Sequence, residues 1–256
     1  MIRIGTAGWS VPRAFAHRLG TEGTHLRRYA SAFSCVEINS SFHRPHAQAT
    51  YVKWAEATPE NFRFAVKLPR TLTHDARLTR PADALDRFLD ETAGLGEKRG
   101  PLLVQLPPSL AFDSRIAGRF LASLRRQYEG MVVCEPRHAT WAAASATGML
   151  VRHRIARVAA DPPPAPEFAA PGGWPGLTYV RLHGSPRTYW SSYPSLCLEG
   201  LAIALRRSEA SDVWCVFDNT AAGAAIENAW ALQMMIKETR DVWDRGKLVH
   251  AWTGPE

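Results

Sequence analysis

Short apolar runs of strand character recur along this chain, and segments with helical spacing separate most of them. The strand candidates are 2–7 (IRIGTA), 36–41 (VEINSS), 62–68 (FRFAVKL), 101–106 (PLLVQL), 131–135 (MVVCE), 157–161 (RVAAD), 177–183 (LTYVRLH) and 212–218 (DVWCVFD). Helical spacing covers 24–33, 47–57, 82–93, 114–127, 140–150, 195–207 and 221–238. Asp113 has the place of an N-cap, and Pro81 stands where a first helical turn tolerates proline. Eight strands with intervening helices in 256 residues predict a TIM-like (β/α)8 barrel, one α/β domain spanning 1–256. The competing doubly wound sheet carries a Gly-rich phosphate loop after its first strand, and GTAGWS at 5–10 lacks that pattern.

One unit breaks the alternation. DPPPAPEFAAPGGWPG at 161–176 is too rich in Pro and Gly for a regular helix, so helix 6 is expected to give way to an extended loop. Such a loop serves either as a connector or as a stiff wall over the barrel mouth.

Composition narrows the function classes. A 46% hydrophobic content with nine Trp is ample for a packed core, and no run approaches the ~20 apolar residues of a membrane span. The first residues enter a strand without a signal-peptide pattern, so the expectation is a soluble cytoplasmic protein without a membrane partner. Cys35, Cys134, Cys197 and Cys215 are far apart and show no metal or disulfide spacing. The net charge of +7 raises a nucleic-acid partner, but only five of 31 basic residues are Lys and the Arg residues are scattered. Codon bias in a GC-rich genome gives the same excess.

Seven stretches together carry a resemblance. GTAGWS (5–10), VEINSSFHR (36–44), FAVKLPRTLTH (64–74), LVQLPPS (103–109), CEPRHATW (134–141), RLHG (181–184) and FDNTAAGAA (217–225) occur in order from end to end. The chain resembles the YecE-like family, domain of unknown function 72. That resemblance implies a TIM-type barrel and supplies no reaction.

A barrel of this kind places its site at the C-terminal ends of the strands. Those ends are polar on nearly every strand. Trp9 follows the first; Glu37, Asn39 and Ser41 lie on the second; Lys67 is on the third and Gln105 on the fourth. Glu135 and Arg137 end the fifth, Asp161 the sixth, Arg181 and His183 the seventh, and Asp218 with Asn219 the eighth. By alternation Glu37, Asn39 and Ser41 share a face, as do Arg181 and His183, while Ile38 and Leu182 point outward. His43, His74 and His138 also follow strand ends, and HGSPRTYWSSY at 183–193 adds Arg187, Tyr189, Trp190 and Tyr193 beyond the seventh strand. Stacking aromatics with an interleaved Arg can hold a ligand ring; the alternative is that Trp190 and Tyr193 pack the loop onto the rim. Arg187 and Tyr189 are expected at a ligand, and Trp190 is expected to pack.

Burying several ionisable groups is costly unless they are paired, and pairing alone gives no reason to gather them at one end. Four acids, three fixed cations and a histidine support an enzyme acting on a small anionic, phosphorylated or nucleotide-like substrate by general acid/base chemistry. Arg137, Arg181 and Lys67 would hold the anion, and His183 or Glu135 would carry the proton, with Glu37 and Asp161 completing the catalytic set. The alternative is a hydrolase or isomerase using a divalent metal, the single cofactor candidate, on Glu37, Glu135, Asp161 and His183. A third reading, a non-catalytic nucleic-acid-binding barrel, leaves the inward acids without a purpose. The sequence carries no signal for oligomeric state.

Overall fold

The computed structural model describes residues 1–79 and 82–243, with side chains described as far as residue 237. Its strands are β1 (Ile2–Thr6), β2 (Cys35–Ile38), β3 (Arg63–Lys67), β4 (Arg99–Gln105), β5 (Val132–Glu135), β6 (Ala156–Arg157), β7 (Ala159–Asp161), β8 (Gly172–Gly173), β9 (Leu177–Leu182) and β10 (Asp212–Phe217). The helices are α1 (His25–Ala30), α2 (Ser40–His43), α3 (Gln48–Glu56), α4 (Ala82–Thr92), α5 (Ser114–Gln127), α6 (Ala144–Arg152), α7 (Ser195–Arg206) and α8 (Ala224–Trp243). Pro81 lies outside the described residues.

Two sheets form, in the orders β1-β10-β9-β7 and β2-β3-β4-β5-β6-β8. Among the described residues every strand pairing is parallel except β6 with β8. The architecture is α/β with parallel-rich sheets. Between β6 and β7 only Val158 intervenes, so one continuous segment belongs to both sheets, and the Val158 amide bonds Cys134 O of β5 at 2.9 Å. At the other edge Ala7 bridges Glu37 in parallel, and the Gly8 amide donates to Glu37 O at 2.8 Å.

Local chemistry accounts for these elements. In α5 the buried Ala117, Phe120, Leu121 and Leu124 recur at helical spacing, and Asp113 caps the helix by accepting from the Arg115 and Ile116 amides at 2.8 and 2.9 Å. Gly5 is required where β1 meets β2, because a Cβ there would stand 2.2 Å from Cys35 O. The buried Tyr29 of α1 joins the same two strands. Its hydroxyl accepts from the Thr6 amide at 2.9 Å and donates to Cys35 O at 3.0 Å.

The segment between β7 and β9 contains no α-helix, as its Pro content predicts. It forms a short 3-10 turn over Pro166–Phe168 and then β8. Phe168 is buried under the Arg157 guanidinium, which donates to Glu167 O at 2.6 Å. The loop is thus packed against the sheet by its own side chains. One expectation fails nearer the site: strand two ends at Ile38, and Asn39 adopts helical dihedrals (φ −97°, ψ −17°) ahead of α2. Glu37, Asn39 and Ser41 therefore do not share a strand face. The Ser41 hydroxyl instead donates to Ile38 O (3.2 Å) and Lys67 O (2.7 Å), fastening α2 to β3.

Candidate functional site

Strand alternation builds the site in two layers. One face of the strands carries a buried apolar group that includes Cys35, Ala65, Leu103, Val133, Tyr179 and Val216. Two residues further along each strand, on the same face, stand Glu37, Lys67, Gln105, Glu135, Arg181 and Asp218. The opposite face, with Ile38, Val66, Val104, Cys134, Leu182 and Phe217, packs into the larger cluster shared with the helices. Ile38 and Leu182 thus point outward, as alternation requires.

Arg181 organises the polar layer. Its Nε donates to Glu37 Oε2 at 3.0 Å and its Nη2 to Glu37 Oε1 at 2.6 Å, a bidentate clamp. Nη2 also reaches Asp218 Oδ2 at 3.1 Å, and Nη1 reaches Glu135 Oε2 at 2.6 Å. Tyr179 donates to Glu37 Oε2 at 2.8 Å, and Gln105 Nε2 donates to Glu135 Oε2 at 3.2 Å. Arg181, expected among the cations that face an anion, is fully buried with all three nitrogens on carboxylates.

His183 stands between two acids. Its Nδ1 lies 3.0 Å from Asp218 Oδ2, and that nitrogen donates, since a carboxylate only accepts. Its Nε2 lies 3.0 Å from Glu135 Oε1 and 2.9 Å from Arg137 Nη2. Arg137 also pairs with Glu135 Oε1 at 2.9 Å. Burial opposes the charge on Glu135, yet Arg181 and Arg137, with the His183 ring, outweigh it and hold the carboxyl well below the usual range. Asp218 is likewise held down, against its burial, by Arg181 and the His183 contact. Arg181 itself is raised by the same carboxylates despite burial.

Access separates these groups. Glu37, Arg181 and His183 are sealed, whereas the side chains of Arg137 and Asp218 are 17% and 13% exposed. Gln105 and Lys67 are also partly exposed. Lys67 Nζ sits over the Phe42 ring, 4.1 Å from its centroid. Burial and the Arg181 charge bring its amine down to about 8, against the pull of Glu37, Glu135 and Asp218.

Other expected residues lie elsewhere. The carboxylate of Asp161 accepts from the Tyr193 hydroxyl at 2.5 Å, and that hydroxyl accepts from the Gly184 amide at 2.8 Å. Asp161 thereby ties the loop after β9 to the end of β7. The metal set Glu37, Glu135, Asp161 and His183 does not converge, because Asp161 is turned to Tyr193 and the Arg181 guanidinium lies between the two glutamates. Among the described residues no group of three or more His, Cys, Asp or Glu is placed to hold a metal ion.

His138 caps the turn Ala139–Ala142 by accepting from the Thr140 amide at 3.3 Å. His43 is exposed against Phe42, and Trp9 packs edge-on against Trp54. Asn219 Nδ2 donates to Ser191 O and to Asn228 Oδ1, both at 2.9 Å, which pins the loop to α8. The Oδ1 atom of Asn39 is buried without a hydrogen-bond partner among the described residues. Tyr189, with a left-handed φ of +69°, stands edge-on to His183 at 5.9 Å. Arg187 is exposed and covers the Trp190 ring at 4.3 Å; Trp190 is 45% exposed instead of packed, while Tyr193 packs against Phe217.

Two residues were missed in the sequence. Tyr179 lies two positions before Arg181, so strand alternation alone could have placed it on the site face. Phe42 falls between the strand candidate 36–41 and the helical segment 47–57, and no spacing signals its place under Lys67.

Comparison with known proteins agrees with this architecture. The chain is 36% identical to UPF0759 protein YecE of Escherichia coli (strain K12) over 107 residues, 42% of this chain and 38% of that protein. It is 31% identical to UPF0759 protein YunF of Bacillus subtilis (strain 168) over 90 residues, 35% of this chain and 32% of that protein. These alignments span about a third to two-fifths of the curated relatives' length. A DUF72 family protein (TM1631) from Thermotoga maritima MSB8 superposes with a TM-score of 0.76 at 24% identity, covering 93% of this chain and 99% of that one. A second (EF0366), from Enterococcus faecalis V583, gives a TM-score of 0.75 at 23% identity, covering 93% and 98%. The model for the protein of unknown function DUF72 matches residues 3–250, and the chain therefore belongs to the DUF72 family.

Proposed function

We propose that this chain is a cytoplasmic enzyme that binds a small anionic substrate at the C-terminal mouth of a closed eight-stranded barrel and acts on it by general acid/base chemistry. Closure is supported by the segment shared between the sheets at Val158 and by the Ala7–Glu37 bridge at the other edge. The observation that carries the chemistry is His183, whose Nδ1 is fixed by Asp218 and whose Nε2 lies between the Glu135 carboxylate and the Arg137 guanidinium.

Only partly exposed groups meet a ligand without rearrangement. Arg137 uses Nη2 on Glu135 and His183, and its other two nitrogens have no hydrogen bond among the described residues. Those free donors suit a phosphate or carboxylate, with Lys67 as the second cation. An anion that draws Arg137 outward also uncovers the Nε2 edge of His183. Asp218 fixes the opposite nitrogen as donor, and Arg181 is a positioning residue that holds Glu37, Glu135 and Asp218 in place.

The test is calorimetric titration with orthophosphate and a small sugar phosphate. Saturable binding is expected, weakened ~10-fold or more in Arg137→Ala, as the loss of a charge-assisted hydrogen bond implies. Wild-type protein that binds neither ligand, or an Arg137→Ala variant with unaltered affinity, overturns the reading.

A further inference from the structure

The chain has five lysines: Lys53, Lys67, Lys98, Lys237 and Lys247. Lys98 gives its ammonium to Ala55 O and Thr58 O, both at 2.7 Å, and Lys53 is exposed. Lys67 differs from both. It is half-buried at the end of β3, and among the described residues its Nζ has neither an ion pair nor a hydrogen bond. What it faces is the ring of Phe42. The carboxylates of Glu37, Glu135 and Asp218 are close enough to act on it through space, but all three are engaged by Arg181, whose own charge opposes a second cation. His74 also meets Phe42, edge-on at 4.9 Å between ring centroids; burial and then the charges of Lys67 and Arg70 push it down, partly offset by Asp75.

A half-buried ammonium with no hydrogen bond among the described residues gives up its proton more readily than an exposed one, and the fraction that is neutral is a nucleophile. Arg137, which pairs with Glu135, one of the carboxylates acting on Lys67, supplies the donors for an anionic group. The separation of roles is clear: one cation is planar and permanently charged, the other readily gives up its proton.

We infer that Lys67 is the covalent nucleophile of this site, forming an imine with a small anionic substrate that carries an aldehyde or ketone; this rests on the anion site proposed above. The Nζ lone pair adds to the carbonyl carbon, the C=O π pair moves to oxygen, and a proton passes from nitrogen to a base while the oxygen is protonated. The carbinolamine then expels its hydroxyl, protonated, as water, and the nitrogen lone pair closes the C=N bond. Amine and carbonyl become imine and water, with no oxidant or reductant. Asp218, whose charge acts on Lys67, and His74, which the Lys67 charge reaches, are the groups proposed to carry the protons.

The experiment treats the full chain with glyoxylate, a carboxylate-bearing aldehyde, at about pH 7 with cyanoborohydride, and maps carboxymethylated lysines by peptide mass spectrometry. An amine near 8 is free to a far greater extent at that pH than an ordinary lysine near 10.5, so Lys67 is expected to label at least ~10-fold faster than the exposed Lys53. Labelling of Lys67 no faster than Lys53 overturns the inference, whatever orthophosphate binding shows. In Arg137→Ala, labelling of Lys67 is expected to slow several-fold. Labelling that stays fast there supports the nucleophile and removes Arg137 from the anion site, so the two readings fail separately.

Discussion

A guanidinium offers five N–H donors in one plane, and Arg181 turns its three nitrogens to Glu37, Glu135 and Asp218 with nothing left for a ligand. Removing it as Arg181→Met leaves those carboxylates, two of them fully buried, without their central cation. The expected cost is about 3–5 kcal/mol, the usual penalty of breaking a buried pair, read from the urea midpoint. The sign with pH follows from the carboxyls. Glu135 and Asp218 are held below their ordinary values of 4.5 and 3.8, so their stabilisation is present above those values and is lost as pH falls through the lower, folded ones. The gap between wild type and Arg181→Met is therefore expected to be wide at neutral pH and to narrow below about pH 4. A gap that is constant with pH would mean that the carboxylates are not what Arg181 stabilises.

Among the elements, the seam between β1 and β2 is joined by the Gly8–Glu37 backbone bond and by one buried hydroxyl. Tyr29 satisfies the Thr6 amide and Cys35 O in a fully buried position, and Tyr29→Phe strands both. A loss of about 1–3 kcal/mol is expected, with faster amide exchange at Thr6 than at Ile4 as its local signature. Equal protection at both amides would place the seam's strength in the packing instead. Much at this scale was legible in the sequence: eight expected strands all fall on observed ones, one of them split into β6 and β7. The Asp113 cap and the lack of an α-helix between β7 and β9 follow from period and composition. The exceptions have physical reasons. Asn39 and Ser41 read as strand because VEINSS alternates, but the serine hydroxyl found Ile38 O and Lys67 O and the chain turned into α2. The polar strand ends were equally legible, since alternation needs no partner. Which partners meet was not. Glu37 and Arg181 are 144 positions apart, and Asp161 was captured by a tyrosine 32 positions later, pairings that only the assembled sheets decide.

For the whole molecule, the +7 net charge and the site are separate matters. Within the site three carboxylates, Glu37, Glu135 and Asp218, face three cations, Lys67, Arg137 and Arg181, so the positive excess arises on the remaining surface. Diffuse charge of that kind attracts polyanions through counterion release, an effect that falls steeply with salt and is indifferent to any one side chain. A small anion held by Arg137 has the opposite profile: local, set by hydrogen-bond geometry, and lost with a single residue. Fluorescence anisotropy with a labelled oligonucleotide at 50 and at about 200 mM salt separates them. Association is expected to be weak and strongly salt-dependent, and the same within about two-fold in wild type and Arg137→Ala, while orthophosphate affinity differs ~10-fold between them. If Arg137→Ala lowered both affinities together, the strand-end cluster would be part of a nucleic-acid surface, and the acids beneath it would serve to orient that surface rather than to move a proton.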